Sequence, residues 1–94
     1  MDQTTVQTLL VMLKVDLGIT TKAYDERLCQ VLQQAEALIR REGASLDLRE
    51  SWEDKALAVT YAAWLWRKRE TMEGMPRMLR WALNNKIFGE AARE

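Results

Sequence analysis

The sequence predicts an all-α fold, a small single-domain bundle of about four helices. Apolar residues recur at intervals of three and four along most of the chain, whereas strand-like alternation never extends beyond a few residues. One proline and four glycines interrupt 94 residues, and hydrophobic and charged residues make up 48% and 30% of the chain, a balance typical of globular domains. We therefore interpret residues 1–94 as one helical domain.

The first predicted helix covers residues 5–17. Thr4 or Thr5 is suited to the N-cap because a hydroxyl can accept a hydrogen bond from a free N–H group of the first turn. Gly18 is suited to the left-handed conformation that ends many helices. The apolar residues in between form one stripe at helical spacing: Val6, Leu9, Leu10, Leu13 and Leu17.

The second predicted helix covers residues 22–42, with Thr20 and Thr21 as its cap and Gly43 as its end. Its apolar residues share an arc about a third of the circumference wide, which is typical of a core-facing helix. They are Tyr24, Leu28, Val31, Leu32, Ala35, Leu38 and Ile39.

A short connection, residues 44–50, leads to the third helix. Leu46 and Leu48 alternate along it, so we expect them to hold the connection against the core. Ser51 precedes the third helix, and its spacing to Asp54 fits a variant of the capping box.

The third predicted helix covers residues 52–71 and carries apolar side chains on two opposite faces. We assign the first face, which includes Trp52 and Trp66, to the core. Since one core uses only one face of a helix, the second face predicts a partner molecule. The first face comprises Trp52, Ala56, Val59, Ala63 and Trp66, and the second comprises Leu57, Tyr61, Trp64 and Leu65.

The fourth predicted helix covers residues 76–88, and it also carries apolar side chains on two sides. Pro76 suits its first position, where an N–H group would have no partner. Residues 89–94 are expected to fray. One side of this helix carries Leu79, Leu83 and Ile87, and the other carries Met78, Trp81, Ala82 and Phe88.

The residue types present argue against an enzyme. The chain has no histidine, so the commonest general base and the Ser-His and Cys-His nucleophile systems are absent. Its four glycines are scattered, and a single cysteine, Cys29, without histidine makes no zinc site of the usual kind. Neighbouring acids such as Glu53 and Asp54 diverge on a helix surface and are interpreted as solvated helix starts. We expect no catalytic residue, no cofactor and no metal.

The charge pattern constrains the partners. Lys and Arg total 14, as do Asp and Glu, so no net field draws the molecule toward nucleic acid. No apolar run approaches the roughly 20 residues of a membrane span, and we expect no membrane partner. The lone cysteine and the absence of a signal-like opening favour the cytoplasm as the site of synthesis.

Large aromatic and arginine side chains are the candidate interface residues, because both are enriched at binding hot spots. Core packing remains the alternative for Trp64 and Trp81. A solvated helix end remains the alternative for the basic cluster Arg67-Lys68-Arg69, which closes the third helix. The candidates are Trp64, Arg67, Arg69, Met75, Arg77, Arg80, Trp81 and Phe88.

Several segments together carry a family resemblance. They are residues 6–19 (VQTLLVMLKVDLGI), residues 24–39 through YDERL and AEALI, residues 54–67 through DKALAV and YAAWLWR, and residues 75–85 (MPRMLRWALNN). With this pattern the chain resembles the head-tail connector, or adaptor, family of tailed bacteriophages and prophages over nearly its whole length. The last segment is the most distinctive, and the short connection at 44–50 departs from the longer segments that relatives can carry there.

The resemblance implies a small helical subunit at the head-tail junction of a virion. It implies a homo-oligomeric ring, a dodecamer on the portal protein, that extends the DNA channel and docks the tail or stopper protein. DNA would then be only a passing cargo, and the resemblance implies neither catalysis nor a cofactor.

Two other functions are consistent with the residues. A nucleic-acid-binding regulator would present Arg77, Arg80, Asn84 and Asn85 to DNA from the fourth helix. A dimerising partner module would explain the two-faced helices as well as a ring does.

Overall fold

The computed structural model describes residues 2–68 and 74–93, which form four helices and no strand. The all-α prediction is confirmed. The bundle is flattened, with principal extents of 43 × 32 × 18 Å. In chain order the helices are α1 (Gln3–Leu17), α2 (Asp25–Arg41), α3 (Trp52–Lys68) and α4 (Arg77–Arg93).

Helix α1 begins slightly earlier than predicted and ends where expected. Its N-cap is Asp2, whose carboxylate accepts the N–H of Thr5 at 2.7 Å, so the threonine cap was wrong. This backbone hydrogen bond stabilises the ionised carboxylate and lowers the pKa of Asp2. Gly18 ends the helix in the left-handed conformation (φ 72°), and the N–H of Ile19 returns to the carbonyl of Lys14 at 2.9 Å.

Helix α2 begins at Asp25 rather than at residue 22. The hydroxyl of Thr21 accepts the N–H of Ala23 at 3.2 Å, so this threonine stabilises the preceding turn instead of capping the helix. Asp25 is bound to Lys14 at 2.7 Å, which joins α2 to α1. Gly43 follows the helix with φ 106°, as predicted for its end.

The buried residues of α1, α2 and α4 lie chiefly on the predicted stripes, whereas Tyr24 of the second stripe is 47% exposed and α3 buries residues of both its faces. In α1 they are Leu9, Leu10 and Leu13, and in α2 they are Leu28, Val31, Leu32, Ala35 and Ile39. From α3 come Leu57, Ala58, Val59, Tyr61, Ala62, Ala63 and Leu65, and from α4 Leu79 and Leu83.

The connection between α2 and α3 lies against the core. Leu46 and Leu48 are buried, as predicted. The carbonyl of Leu46 accepts a hydrogen bond from Arg40 at 3.0 Å, which fixes the connection to the end of α2. The hydroxyl of Ser51 accepts the N–H of Asp54 at 3.2 Å, and the predicted cap of α3 is confirmed.

Helix α3 is the central helix, and it contacts α1, α2 and α4. Leu57, Tyr61 and Leu65 of its second apolar face are buried within the chain. The prediction that this face needs a partner molecule was therefore wrong, because a central helix is covered on several sides by its own domain. Residues 69–71, the predicted end of this helix, lie outside the described residues.

Helix α4 packs on α3 and continues to Arg93, beyond the predicted end at residue 88. Gly89 does not stop it. Glycine in an exposed helix costs only about 1 kcal/mol relative to alanine, and the following Ala91 and Ala92 are strong helix formers.

Candidate functional site

Helix α4 has two apolar faces, of which only one is buried. Leu79 and Leu83 are 3% and 0% exposed and pack into the core, and Ile87 is half-buried beside them. On the opposite side, Met78, Trp81 and Phe88 are 75%, 64% and 68% exposed. We call these three side chains the outer ridge. The division predicted for this helix is confirmed.

A buried carboxylate holds α4 to the rest of the domain. Asp54 of α3 is only 7% exposed, which corrects its interpretation as part of a solvated helix start. Its two oxygens accept hydrogen bonds from the backbone N–H of Asp47 and from the ammonium of Lys86 of α4, both at 2.7 Å. Asp54 therefore joins the connection, α3 and α4 at one point.

A second ion pair joins α4 to the end of α2. The guanidinium of Arg80 donates to Glu42 at 2.7 Å. The other Glu42 oxygen is buried without a hydrogen-bond partner among the described residues. Burial raises the pKa of the nearby Tyr61, and the negative charge of Glu42 raises it further, while Arg80 opposes this effect. Arg80 is thus a structural residue of the monomer.

An open groove runs between α3 and α4 beside the outer ridge. One part of it has a volume of about 380 Å³ and is lined by Ala56, Leu57, Thr60, Met78 and Ala82, together with Glu53 and Leu79. The adjoining part, of about 390 Å³, ends at the ion pair of Asp54 and Lys86. The apolar surface of the ridge therefore continues toward α3.

Several predicted interface residues lie against the domain itself. Trp64 is half-buried, its indole N–H donates to the carbonyl of Gly74 at 3.1 Å, and its ring meets that of Tyr61 edge-on at 5.5 Å. Met75 packs on the core. These contacts place both side chains in the junction between α3 and α4.

The arginines predicted as interface residues lie in different surroundings. Arg67 lies beside Asp16 of α1, at 3.9 Å from its carboxylate and 3.5 Å from its backbone carbonyl. Arg77 is exposed at the start of α4, one residue before the ridge. Arg69 lies outside the described residues. Of the described arginines, Arg67 and Arg80 therefore lie against acidic groups of the domain, and Arg77 is exposed.

The two tryptophans that we assigned to the core differ in their exposure to solvent. Trp66 is half-buried, and its ring meets Tyr24 edge-on at 5.8 Å. Trp52 is 66% exposed, and the ammonium of Lys55 lies 4.1 Å from its ring centroid. The core assignment of Trp52 was wrong, and Ala56, one turn later on the same predicted face, is also exposed and lines the groove between α3 and α4.

Helix α1 has an exposed, uncharged face that was not predicted from the sequence. Val11 and Val15 are 60% and 77% exposed, and they share this face with Thr4, Gln7 and Thr8. We call these five residues the α1 face. The missed signal was the pair Val11 and Val15 outside the predicted apolar stripe, because an exposed helix face normally carries charged or polar residues.

The described residues contain no group of acidic or cysteine side chains that could hold a metal ion. Among residues 2–68 and 74–93, no helix is both long and apolar enough to cross a membrane. Comparison with known proteins finds no matching family model, and neither a curated protein nor a solved structure matches the chain significantly.

Proposed function

We propose that this chain is a structural subunit that assembles with copies of itself, and that its assembly is the connector ring of a tailed bacteriophage or prophage. The observation that carries the proposal is the outer ridge of α4, which exposes three large apolar side chains while the same helix fills the core with its other face. The resemblance to head-tail connectors, which includes residues 75–85, supports a connector ring as the form of this assembly.

The size of the ridge supports an interface. Large side chains cover roughly 150–250 Å² each, so three of them at about two-thirds exposure present on the order of 400 Å² of apolar surface. Patches of about 300–600 Å² are the largest on a typical monomer, and they are often functional. The groove beside α3 enlarges the surface toward the roughly 800 Å² that each partner contributes to a standard interface.

The energy of one such contact favours a ring over an isolated pair. Burial at about 25 cal/mol/Å² gives on the order of 10 kcal/mol for the ridge. Association costs about 4–15 kcal/mol, so one contact is weak by itself. In a closed ring each subunit makes two contacts, and the portal above the ring adds a third surface.

The surroundings of the ridge favour protein over nucleic acid as the partner. Arg80, one of the predicted DNA contacts, is bound to Glu42, and the candidate interface residue Arg67 lies beside Asp16, so both cations face acids within the chain. The ridge is apolar where a recognition helix carries a polar outer face. With a net charge of zero, the subunit can surround passing DNA without a strong general attraction.

The test is co-sedimentation of the full chain with an assembled portal ring encoded beside it, followed by electron microscopy of the mixture. We expect an additional ring stacked on the portal, and no such ring with the variant Trp81→Lys/Phe88→Lys. A folded chain that leaves an intact portal bare would contradict the proposal. A closed dimer would then favour the partner module, and salt-dependent DNA binding would favour the regulator.

A further inference from the structure

The outer ridge and the α1 face are two exposed surfaces on different helices of one molecule. Helix α1 packs on α2 and α3, whereas α4 packs on α3. The core uses the inward residues of both helices and leaves these two surfaces uncovered. A partner that covers the ridge of one copy therefore leaves the α1 face of that copy free for a different contact.

The two surfaces match in length. At about 1.5 Å per residue, the α1 face extends about 16 Å from Thr4 to Val15. The ridge extends about 15 Å from Met78 to Phe88 by the same rise. Two helix faces of equal length can be buried together without leaving an apolar end exposed.

The two surfaces also match in shape and chemistry. The ridge carries long and aromatic side chains, whereas the α1 face carries compact Val and Thr side chains between which large groups can insert. The hydroxyl of Thr8 donates to the carbonyl of Thr4 at 3.1 Å, so its proton keeps an acceptor within the helix when the face is covered.

Neither surface carries a charge. The five residues of the α1 face are uncharged, and the outer positions of α4 between Met78 and Phe88 are Trp81, Ala82 and Asn85, with the exposed Arg77 at the edge of the ridge one turn before Trp81. In a chain with 30% charged residues, two uncharged exposed helix faces are a departure from an ordinary surface. Depletion of charge is the composition that marks the centre of protein interfaces.

We propose that the outer ridge of one copy docks on the α1 face of the next copy. The inference rests on the proposed self-assembly and gives it a geometry. The contact is heterologous, because each subunit uses its ridge toward one neighbour and its α1 face toward the other, and repetition of such a contact closes a ring. Pairing of two ridges would bury one surface and leave the α1 face exposed.

Two double variants of the full chain separate these geometries. The first, Val11→Lys/Val15→Lys, changes only the α1 face, and the second, Trp81→Lys/Phe88→Lys, changes only the ridge. All four positions are exposed, so circular dichroism should show both variants folded. Lysine at every position makes any repulsion between the variants oppose their association.

Sedimentation velocity of each variant alone and of their mixture is the measurement. The wild type associates, and each variant alone is a monomer with its self-association weakened about 100-fold or more. At high protein concentration the mixture forms a one-to-one dimer held by one weak contact, because the ridge of the first variant still fits the α1 face of the second. This dimer cannot grow, because both of its free surfaces are altered.

The failures of the two proposals are distinguishable. A wild-type chain that stays monomeric at every concentration contradicts the proposed self-assembly. A wild type that associates, with a first variant that still self-associates and does not bind the second, overturns the head-to-tail contact and shows that ridge pairs with ridge.

Discussion

Replacement of the buried Asp54 by alanine tests the account of how α4 is held. The change leaves the N–H of Asp47 without its acceptor and the ammonium of Lys86 without this carboxylate. An unsatisfied buried donor costs about 1–3 kcal/mol. The Lys86 side chain is 22% exposed, so we discount its ion pair to about 1 kcal/mol.

Asp54→Ala should therefore lower the free energy of unfolding by about 2–4 kcal/mol, which corresponds to a loss of roughly 10–20 °C in melting temperature for a domain of this size. Urea titration followed by circular dichroism measures this loss. The matched control is Glu53→Ala, an exposed acid on the same turn, which should change stability by no more than about 0.5 kcal/mol. Equal effects of the two variants would refute the role of Asp54.

Three further predictions concern single residues. Leu83→Ala should lower the free energy of unfolding, measured by urea titration, by about 2–5 kcal/mol because Leu83 is fully buried. Trp81→Ala should lower it by less than about 0.5 kcal/mol, and the reverse order would show that the faces of α4 are misassigned. Burial raises the pKa of Tyr61, so the stability that the neutral phenol contributes is complete below the unfolded pKa near 10 and is lost as the pH rises toward the folded pKa. Tyr61→Phe should reduce the loss of stability at alkaline pH, and an unchanged loss would contradict this role of Tyr61. Gly18→Ala should cost about 1 kcal/mol because φ is 72° there, and Gly18→Asn should cost less; equal stability of all three chains would exclude a conformational role.

The helices could be predicted from the sequence because local periodicity determines them. The stripe of α2 predicted the buried positions Leu28, Leu32 and Ile39 correctly. The predicted helix ends were less accurate where the capping group was not the expected hydroxyl. Asp2 provides the acceptor for α1, whereas Thr21 serves a turn.

The candidate site was harder to predict because exposure depends on which helices become neighbours. The second face of α3 looked like an interface, yet α4 and the other helices cover Leu57 and Tyr61. Asp54 looked solvated, because its partner Lys86 is distant in the sequence. For α4, by contrast, the predicted division into a buried and an exposed side is confirmed, since this helix packs chiefly on one neighbour.

The most direct measurement for the central claim is the mass of the chain in solution, determined by light scattering over a wide range of concentration. Three proteins are compared: the wild type, Trp81→Lys in the outer ridge, and Trp52→Lys. Trp52 is the matched control because it is 66% exposed, close to the 64% of Trp81, but lies at the start of α3.

We predict that the wild type and Trp52→Lys exceed the monomer mass of 10.9 kDa as concentration rises, whereas Trp81→Lys remains at that mass. A wild type that stays at the monomer mass throughout, or two tryptophan variants that behave alike, would contradict the claim that the outer ridge of α4 is the surface of assembly.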